Sequence, residues 1–142
     1  MHPFFKTIAL LVAVFSPLAF AETQYSPAHS VCVSKAGTDS DLGICDDDEL
    51  GKQDARLNTA YKRAMSALPA ENKRKLQDAQ VLWIKFRDAD CALHYSLTGG
   101  TMDIVNGSGC TLSMTRDRAD SLEWFANNGA ENGPEEGEMD AW

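Results

Sequence analysis

Four polar residues in the middle of the sequence have the types and spacing for acid–base chemistry. Gln80, Arg87, Asp90 and His94 fall near the centre of the apolar face of a predicted helix. Arg87 precedes Asp90 by three positions and Asp90 precedes His94 by four, which are spacings at which helical side chains meet. An imidazole beside a carboxylate is a possible acid–base pair. We favour a buried polar network instead, because the sequence marks neither a pocket nor a second reacting group.

The cysteines are the other reactive side chains, and they stand at positions 32, 45, 91 and 110. An even number of cysteines in a small chain with an export signal predicts two disulfides. Three pairings are possible. We favour Cys32–Cys45 and Cys91–Cys110, because each closes a loop rich in Gly and Asp. Zinc ligands normally come in close pairs such as C-x2-C, and the gaps here are much wider, so we expect no metal site.

The sequence also lacks the motifs of several common enzyme and cofactor-binding classes. There is no G-x-S-x-G elbow, no Gly-rich phosphate loop, no H-E-x-x-H and no C-x-x-C. Asp39 and Asp41, and the later run from Asp46 to Asp48, suggest calcium. Neither register supplies Gly and Glu where an EF-hand loop needs them. We therefore expect a protein that is not an enzyme and has no cofactor.

Three helices are predicted to position these residues. The first begins at Asp46-Asp47-Asp48-Glu49, because acidic residues stabilise the positive end of a helix dipole. The second runs from about residue 70 to 97, opened by Pro69 and ended before Gly99-Gly100. A Gly- and Asn-containing loop, residues 98–109, leads to the third helix, from about 110 to 126. Residues 22–44 show no sustained period and are predicted to be a polar lead-in.

The second helix is predicted to be central, because its apolar arc is broad enough to contact two others. Its predicted inward residues are Leu76, Ala79, Trp83, Phe86, Leu93 and Leu97. The expected fold is all-α, a small antiparallel three- to four-helix bundle with two disulfides.

Both ends of the chain differ from the middle. Residues 1–21 have a basic start at Lys6, a short apolar stretch and Ala19-Phe20-Ala21, which is typical of a cleaved secretory signal. No Cys follows the cut, so we expect a periplasmic or secreted protein without a lipid anchor or membrane insertion. The domain then spans residues 22–126. Residues 127–142 are acidic and without periodicity, and we expect a flexible tail.

The 142 residues carry a formal net charge of −8. Phosphate binding needs clustered Lys and Arg, and none cluster here, so nucleic acid is not an expected partner. The natural complement of an acidic chain is a basic protein.

One stretch also carries a resemblance. The pattern Q-x2-W-x3-RD-x2-C at residues 80–91, with the cysteines and several flanking positions, resembles the lysozyme-inhibitor LprI-like family of bacterial secreted proteins. The resemblance covers about residues 32–122. It implies a helical, disulfide-linked domain, and the family's founding lipoprotein has a lipid-bearing Cys that this chain lacks. The motif residues are Leu57, Tyr61, Gln80, Trp83, Arg87, Asp88, Asp90, His94 and Arg118.

The resemblance implies an inhibitor that blocks the cleft of a lysozyme-type peptidoglycan hydrolase. The target would be either a host lysozyme or a peptidoglycan-cleaving effector. If the target is an effector, the chain is an immunity protein. The candidate contacts lie in the loop after the second helix and in the tail. They are Gly99, Gly100, Asp103, Asn106, Glu135, Glu136 and Trp142. The alternative is an envelope adaptor that binds another protein and inhibits no enzyme.

Overall fold

The computed structural model describes residues 25–129, which form four helices and no strand. They are α1 (Pro27–Lys35), α2 (Asp39–Ala67), α3 (Ala70–His94) and α4 (Met102–Asn128). The all-α bundle with two disulfides is therefore confirmed. The predicted signal at residues 1–21 and most of the predicted tail at residues 127–142 lie outside the described residues. Residues 127 and 128 are the last two of α4, so the helix continues past the predicted start of the tail.

The predicted lead-in over residues 22–44 is wrong, because most of it is helical. Ser26 caps α1, and Pro27 occupies its first turn. Thr38 caps α2 in a reciprocal capping box with Asp41, so α2 begins at Asp39 and not at Asp46. The acidic run at residues 46–49 therefore lies inside α2. Because the caps Ser26 and Thr38 are only 12 residues apart, α1 is too short for its apolar residues to show a helical period.

The predicted loop over residues 98–109 is also wrong, because α4 begins at Met102. We call the segment between α3 and α4, residues 95–101, the connector. Gly107 lies within α4, and the Tyr95 ring packs directly on it. A glycine is required there because a Cβ at residue 107 would lie 2.3 Å from that ring. Glycines that look like loop residues are here sites of close contact inside a helix.

Helix α4 packs against both α2 and α3, and α2 packs against both α1 and α4. The prediction that the helix over residues 70–97 is central is therefore wrong. The core combines residues of α2 (Leu57, Ala60, Ala64), the α2–α3 corner (Leu68), α3 (Leu76) and α4 (Ala119, Leu122). Four residues predicted to point inward are exposed instead: Ala79, Phe86, Leu93 and Leu97. Helix α3 buries few apolar side chains, namely Leu76 and Cys91, and Leu97 lies beyond its end in the connector.

The two disulfides follow the predicted pairing. Cys32–Cys45 joins α1 to α2, and Cys91–Cys110 joins α3 to α4. Arg56 adds an ionic link between α2 and α4: it donates to Asp120, and its Nε lies 2.7 Å from Glu123 Oε1.

Glu49 of α2 fixes the start of α1, although its side chain is almost fully buried. The Ser26 backbone N–H donates to Glu49 Oε1 at 2.9 Å, and the Ser26 hydroxyl donates to Oε2. Gln53 and Lys52 donate at 2.9 and 3.1 Å. Burial alone would raise the pKa of Glu49, but these hydrogen bonds outweigh it and lower the pKa from 4.5 to about 2.

We expect Glu49 to make stability depend on acid pH. Because the folded pKa is lower than the unfolded one, the stabilisation is complete above about pH 4.5 and is lost as the pH falls towards 2. Urea unfolding of the wild type should show a falling free energy over that window, and Glu49→Gln should flatten the slope there. An equal slope in both proteins would contradict the assignment.

Gly107 and Gly51 form a matched pair for testing the close contact in α4. Gly107→Ala should lower the free energy of unfolding by about 1–3 kcal/mol, because the new Cβ overlaps the Tyr95 ring. Gly51→Ala, on the exposed face of α2 with no atom within 4 Å of the new Cβ, should raise it by about 0.5–1 kcal/mol. Urea denaturation with intact disulfides measures both. Equal effects would show that Tyr95 moves aside.

Candidate functional site

A groove of about 370 Å³ lies between α2 and α3. We call it the motif groove, because motif residues of both helices meet there. Its lining comprises Asp54, Leu57, Asn58, Tyr61, Gln77, Gln80, Val81, Trp83, Ile84 and Arg87. The fold thus brings together the motif residues Leu57, Tyr61, Gln80, Trp83 and Arg87, which are 30 positions apart at the extremes.

Trp83 lies beside two guanidinium groups. Arg87 Cζ is 5.0 Å from the centroid of the Trp83 ring, and Arg118 Cζ of α4 is 5.9 Å from it. Both distances are within the range of cation–π attraction. Trp83 is half-buried and packs against the core, so the two arginines cover a ring that already joins α3 to the bundle.

Arg118 links the motif groove to α4. Its Nε donates to Gln80 Oε1 at 2.8 Å, and Gln80 is buried. Burial lowers the pKa of Arg118. Its Nη2 is buried and has no hydrogen-bond partner within residues 25–129. A buried donor without a partner is uncommon in folded proteins.

The other predicted network residues separate into two groups. Arg87 donates through Nε to Asp88 at 2.9 Å and through Nη1 to Thr115 Oγ1 at 3.4 Å. Asp90 and His94 lie instead near the Cys91–Cys110 disulfide, with ligand-type atoms of Asp90, His94 and Cys110 within 4.8 Å of one another. The Cys110 sulfur is in the disulfide and supplies no thiolate, so two potential ligands remain, fewer than zinc requires.

A second polar cluster was not anticipated from the sequence. Asp46 Oδ1 lies 2.9 Å from His29 Nε2, and Asp46 Oδ2 accepts a hydrogen bond from the Ser108 hydroxyl at 2.7 Å. The residue types are those of a catalytic triad, but the carboxylate lies between the other two, so the serine has no base to activate it. The cluster instead connects α1, α2 and α4. Sequence patterns do not reveal the role of His29, because residues 22–44 show no sustained helical period.

The predicted partner contacts occupy different environments. Gly99 and Gly100 are exposed in the connector, and Gly99 has a φ of +74°. Asp103 is buried, and its carboxylate accepts hydrogen bonds from the backbone N–H groups of Thr98 and Gly99 at 2.8–3.1 Å. Asp103 therefore shapes the connector and is not a surface group. Asn106 is half-buried in α4, and Glu135, Glu136 and Trp142 lie outside the described residues.

An apolar stripe runs along the outer face of α3. Leu82, Phe86 and Leu93 are 65%, 59% and 62% exposed. Their spacings of four and seven place them on one side of the helix. Exposed apolar side chains grouped in this way are typical of protein interaction surfaces.

The chain matches the family described as lysozyme inhibitor LprI over residues 32–122, and it belongs to that family. The match spans all of α2 and α3 and reaches Leu122 of α4, so it includes the motif groove and both disulfides. This is a family of inhibitors and not of enzymes.

A relative from Rhizobium meliloti (strain 1021) is described as an uncharacterized protein. The alignment is 103 positions long at 33% identity, and it covers 63% of this chain and 74% of the relative. No solved structure matches the chain significantly. Among the described helices, none has the length and apolar character required to cross a membrane.

Gln80 and Gln77 provide a test of the link between the motif groove and α4. Gln80→Ala leaves Arg118 Nε without its acceptor and should cost about 1–3 kcal/mol of unfolding free energy. Gln77→Ala, at an exposed position of the same helix, should change it by about 0.5 kcal/mol or less. Urea unfolding followed by tryptophan fluorescence measures both. A cost for Gln80→Ala as small as that for Gln77→Ala would contradict the structural role of this bond.

Proposed function

We propose that this protein inhibits lysozyme-type peptidoglycan hydrolases by binding across the enzyme cleft. The observation that carries the proposal is membership of the lysozyme inhibitor family over residues 32–122. Its working compartment would be the periplasm or the exterior, where both disulfides persist and the substrate of such enzymes is found. The target would be a host lysozyme or a peptidoglycan-cleaving effector from a neighbouring cell.

The electrostatics of the chain support a basic enzyme as the partner. Its net charge is −8, and lysozymes are generally strongly basic. Opposite charges accelerate the encounter of two proteins and orient them before contact. Attraction alone does not inhibit, so a part of the chain must also enter or cover the cleft.

The end of the bundle that includes the connector is our proposed contact surface. Asp39 of α2 accepts a hydrogen bond from the Thr101 hydroxyl at 2.6 Å, and the nearby Asp47 carboxylate contributes to the raised pKa of Tyr95, after the larger effect of burial. The first half of α2 thus presents carboxylates beside the exposed Gly99-Gly100 turn. The acidic residues Glu135 and Glu136, together with Trp142, are further proposed contacts.

Limited internal freedom of the connector supports this choice. The Asp103 carboxylate accepts bonds from Thr98 and Gly99, and Cys91–Cys110 joins the helices on either side. A segment already fixed in one conformation loses little entropy when it binds. Protein inhibitors that occupy an enzyme cleft benefit from such preorganisation.

The apolar stripe on α3 favours a second candidate function. Leu82, Phe86 and Leu93 face solvent on one side of the helix, as a surface for another protein would. A domain that used this surface alone could be an adaptor of the bacterial envelope without inhibiting any enzyme.

Cell-wall clearing by a panel of peptidoglycan hydrolases separates the two functions. The panel should include an animal lysozyme and any effector encoded near the gene. Inhibition that is complete at one inhibitor per enzyme is the expected result for the first function. Undiminished clearing by every enzyme at large excess would reject it and favour the adaptor.

Charge neutralisation beside the connector tests the proposed contact surface. Asp47→Asn should weaken inhibition by about two- to fivefold at low salt, because an exposed ionic attraction is lost. The matched control is Asp78→Asn, which removes the same charge from the exposed face of α3. The inhibition constants of both variants are compared at low and high salt. Equal weakening by both variants would show that overall charge and not this surface matters.

A further inference from the structure

A second cavity, of about 410 Å³, lies where the end of α4 meets the α2–α3 corner. We call it the end cavity. Its lining includes Lys75, Leu76, Ala79, Arg118, Trp124 and Phe125. The volume falls within the range of small-molecule sites, about 300–1,000 Å³. The cavity is distinct from both the connector and the motif groove, although Arg118 reaches towards Gln80 in the latter.

The walls of the end cavity are mainly hydrocarbon and aromatic. Leu68 and Leu76 are buried core residues that supply an apolar base. Trp124 and Phe125 lie edge to face, with ring centroids 5.4 Å apart, and Trp124 is largely exposed. Such a surface favours a ligand with an apolar body, because binding removes both sets of apolar groups from water.

The charged residues that line the end cavity within residues 25–129 have one sign. They are Lys75 and Arg118, and no carboxylate lines the cavity in this part of the chain. This is unusual in a chain with a net charge of −8. Lys75 pairs with Glu71 at 2.8 Å, but both side chains are about 70% exposed, so this ion pair is weak and readily exchanged.

Arg118 provides a more specific indication. Its Nε is occupied by Gln80, whereas its buried Nη2 has no hydrogen-bond partner in the described part of the chain. An unpaired buried donor is costly, and hydrogen bonds from a guanidinium to an anionic oxygen are among the stronger ones in proteins. Arg118 lines the end cavity, so an anion bound there would lie beside this guanidinium group.

We propose that the end cavity binds an amphipathic monocarboxylate, with the carboxylate at Arg118 and Lys75 and the apolar body against Leu76, Trp124 and Phe125. The carboxylate satisfies the guanidinium and the hydrocarbon fills the cavity. This function is independent of hydrolase inhibition.

Octanoate and 1-octanol form the probe pair, because they share an alkyl chain and differ in the charged group. Each is titrated into the full-length oxidised protein, with calorimetry for affinity and ¹H–¹⁵N spectra for location. We expect octanoate to bind at least tenfold more tightly and to shift the Trp124 indole and the Asn72 side-chain amide. Equal affinities, no binding of octanoate, or shifts confined to other regions would each overturn the proposal.

Variants locate the carboxylate and the apolar body. Lys75→Gln and Arg118→Gln should each weaken octanoate binding several-fold and leave 1-octanol unchanged, whereas the control Lys62→Gln on α2 should leave both unchanged. Ala79→Phe should block both probes, because residue 79 lines the cavity at an exposed position where a larger side chain fits. Since Arg118 also supports Gln80, Lys75→Gln keeps the charge test valid if Arg118→Gln fails to fold. Unchanged octanoate affinity in Lys75→Gln and Ala79→Phe would place the ligand elsewhere.

Discussion

Close packing of α2 against α4 is the interaction on which the rest of the structure depends. Small buried residues lie in the core that the two helices share, with Ala60 and Ala64 on α2 and Ala119 on α4. At the other end of the interface a Cβ on Gly43 would lie 2.7 Å from Ile104, so the helices approach too closely there for any larger residue. Helix α1 is attached to α2 and helix α3 to α4, so both outer helices take their positions from this central pair.

The motif groove follows from the same arrangement. Because α2 and α3 both pack on α4 and make little contact with each other along their length, a space remains between them. The Tyr61 and Trp83 side chains border that space and Arg118 supports it from α4. The motif residues therefore lie where three helices meet, and most of them come from α3.

The sequence was sufficient for the helical class and for the α2–α3 corner at Pro69, because caps and breakers act locally. It allowed three disulfide pairings, and the favoured one is the pairing observed. It was insufficient for the start of α4, since Gly107 is explained by the Tyr95 ring, a contact between residues 12 positions apart. It also misplaced Phe86 and Leu93, because the apolar arc of α3 is wider than the face that α4 covers. A helical period tells which side chains share a face but not whether a neighbour covers that face.

Helical spacing puts Gln80 and Arg87 on one face of α3, and both line the motif groove, but their hydrogen-bond partners are not predictable from that spacing. Gln80 accepts a hydrogen bond from Arg118 of α4, and Arg87 donates one to Thr115 of α4. The same limit applies to His29, Asp46 and Ser108, whose cluster draws one residue from each of three helices. Sites built across a helix interface require the tertiary arrangement, whereas contacts at positions i, i+3 and i+4 do not.

The two disulfides have a topological consequence for oxidative folding. Each connects neighbouring helices, over separations of 13 and 19 residues, and neither crosses between α2 and α4. Each disulfide therefore forms within its own half of the chain, and neither requires contact between the halves. Once oxidised, the polypeptide consists of two disulfide-linked helix pairs, α1–α2 and α3–α4. The last step of folding is then the docking of one pair on the other. Short loops of this kind also close at a smaller entropy cost than long ones, so the native pairing is favoured over the two alternatives from the start.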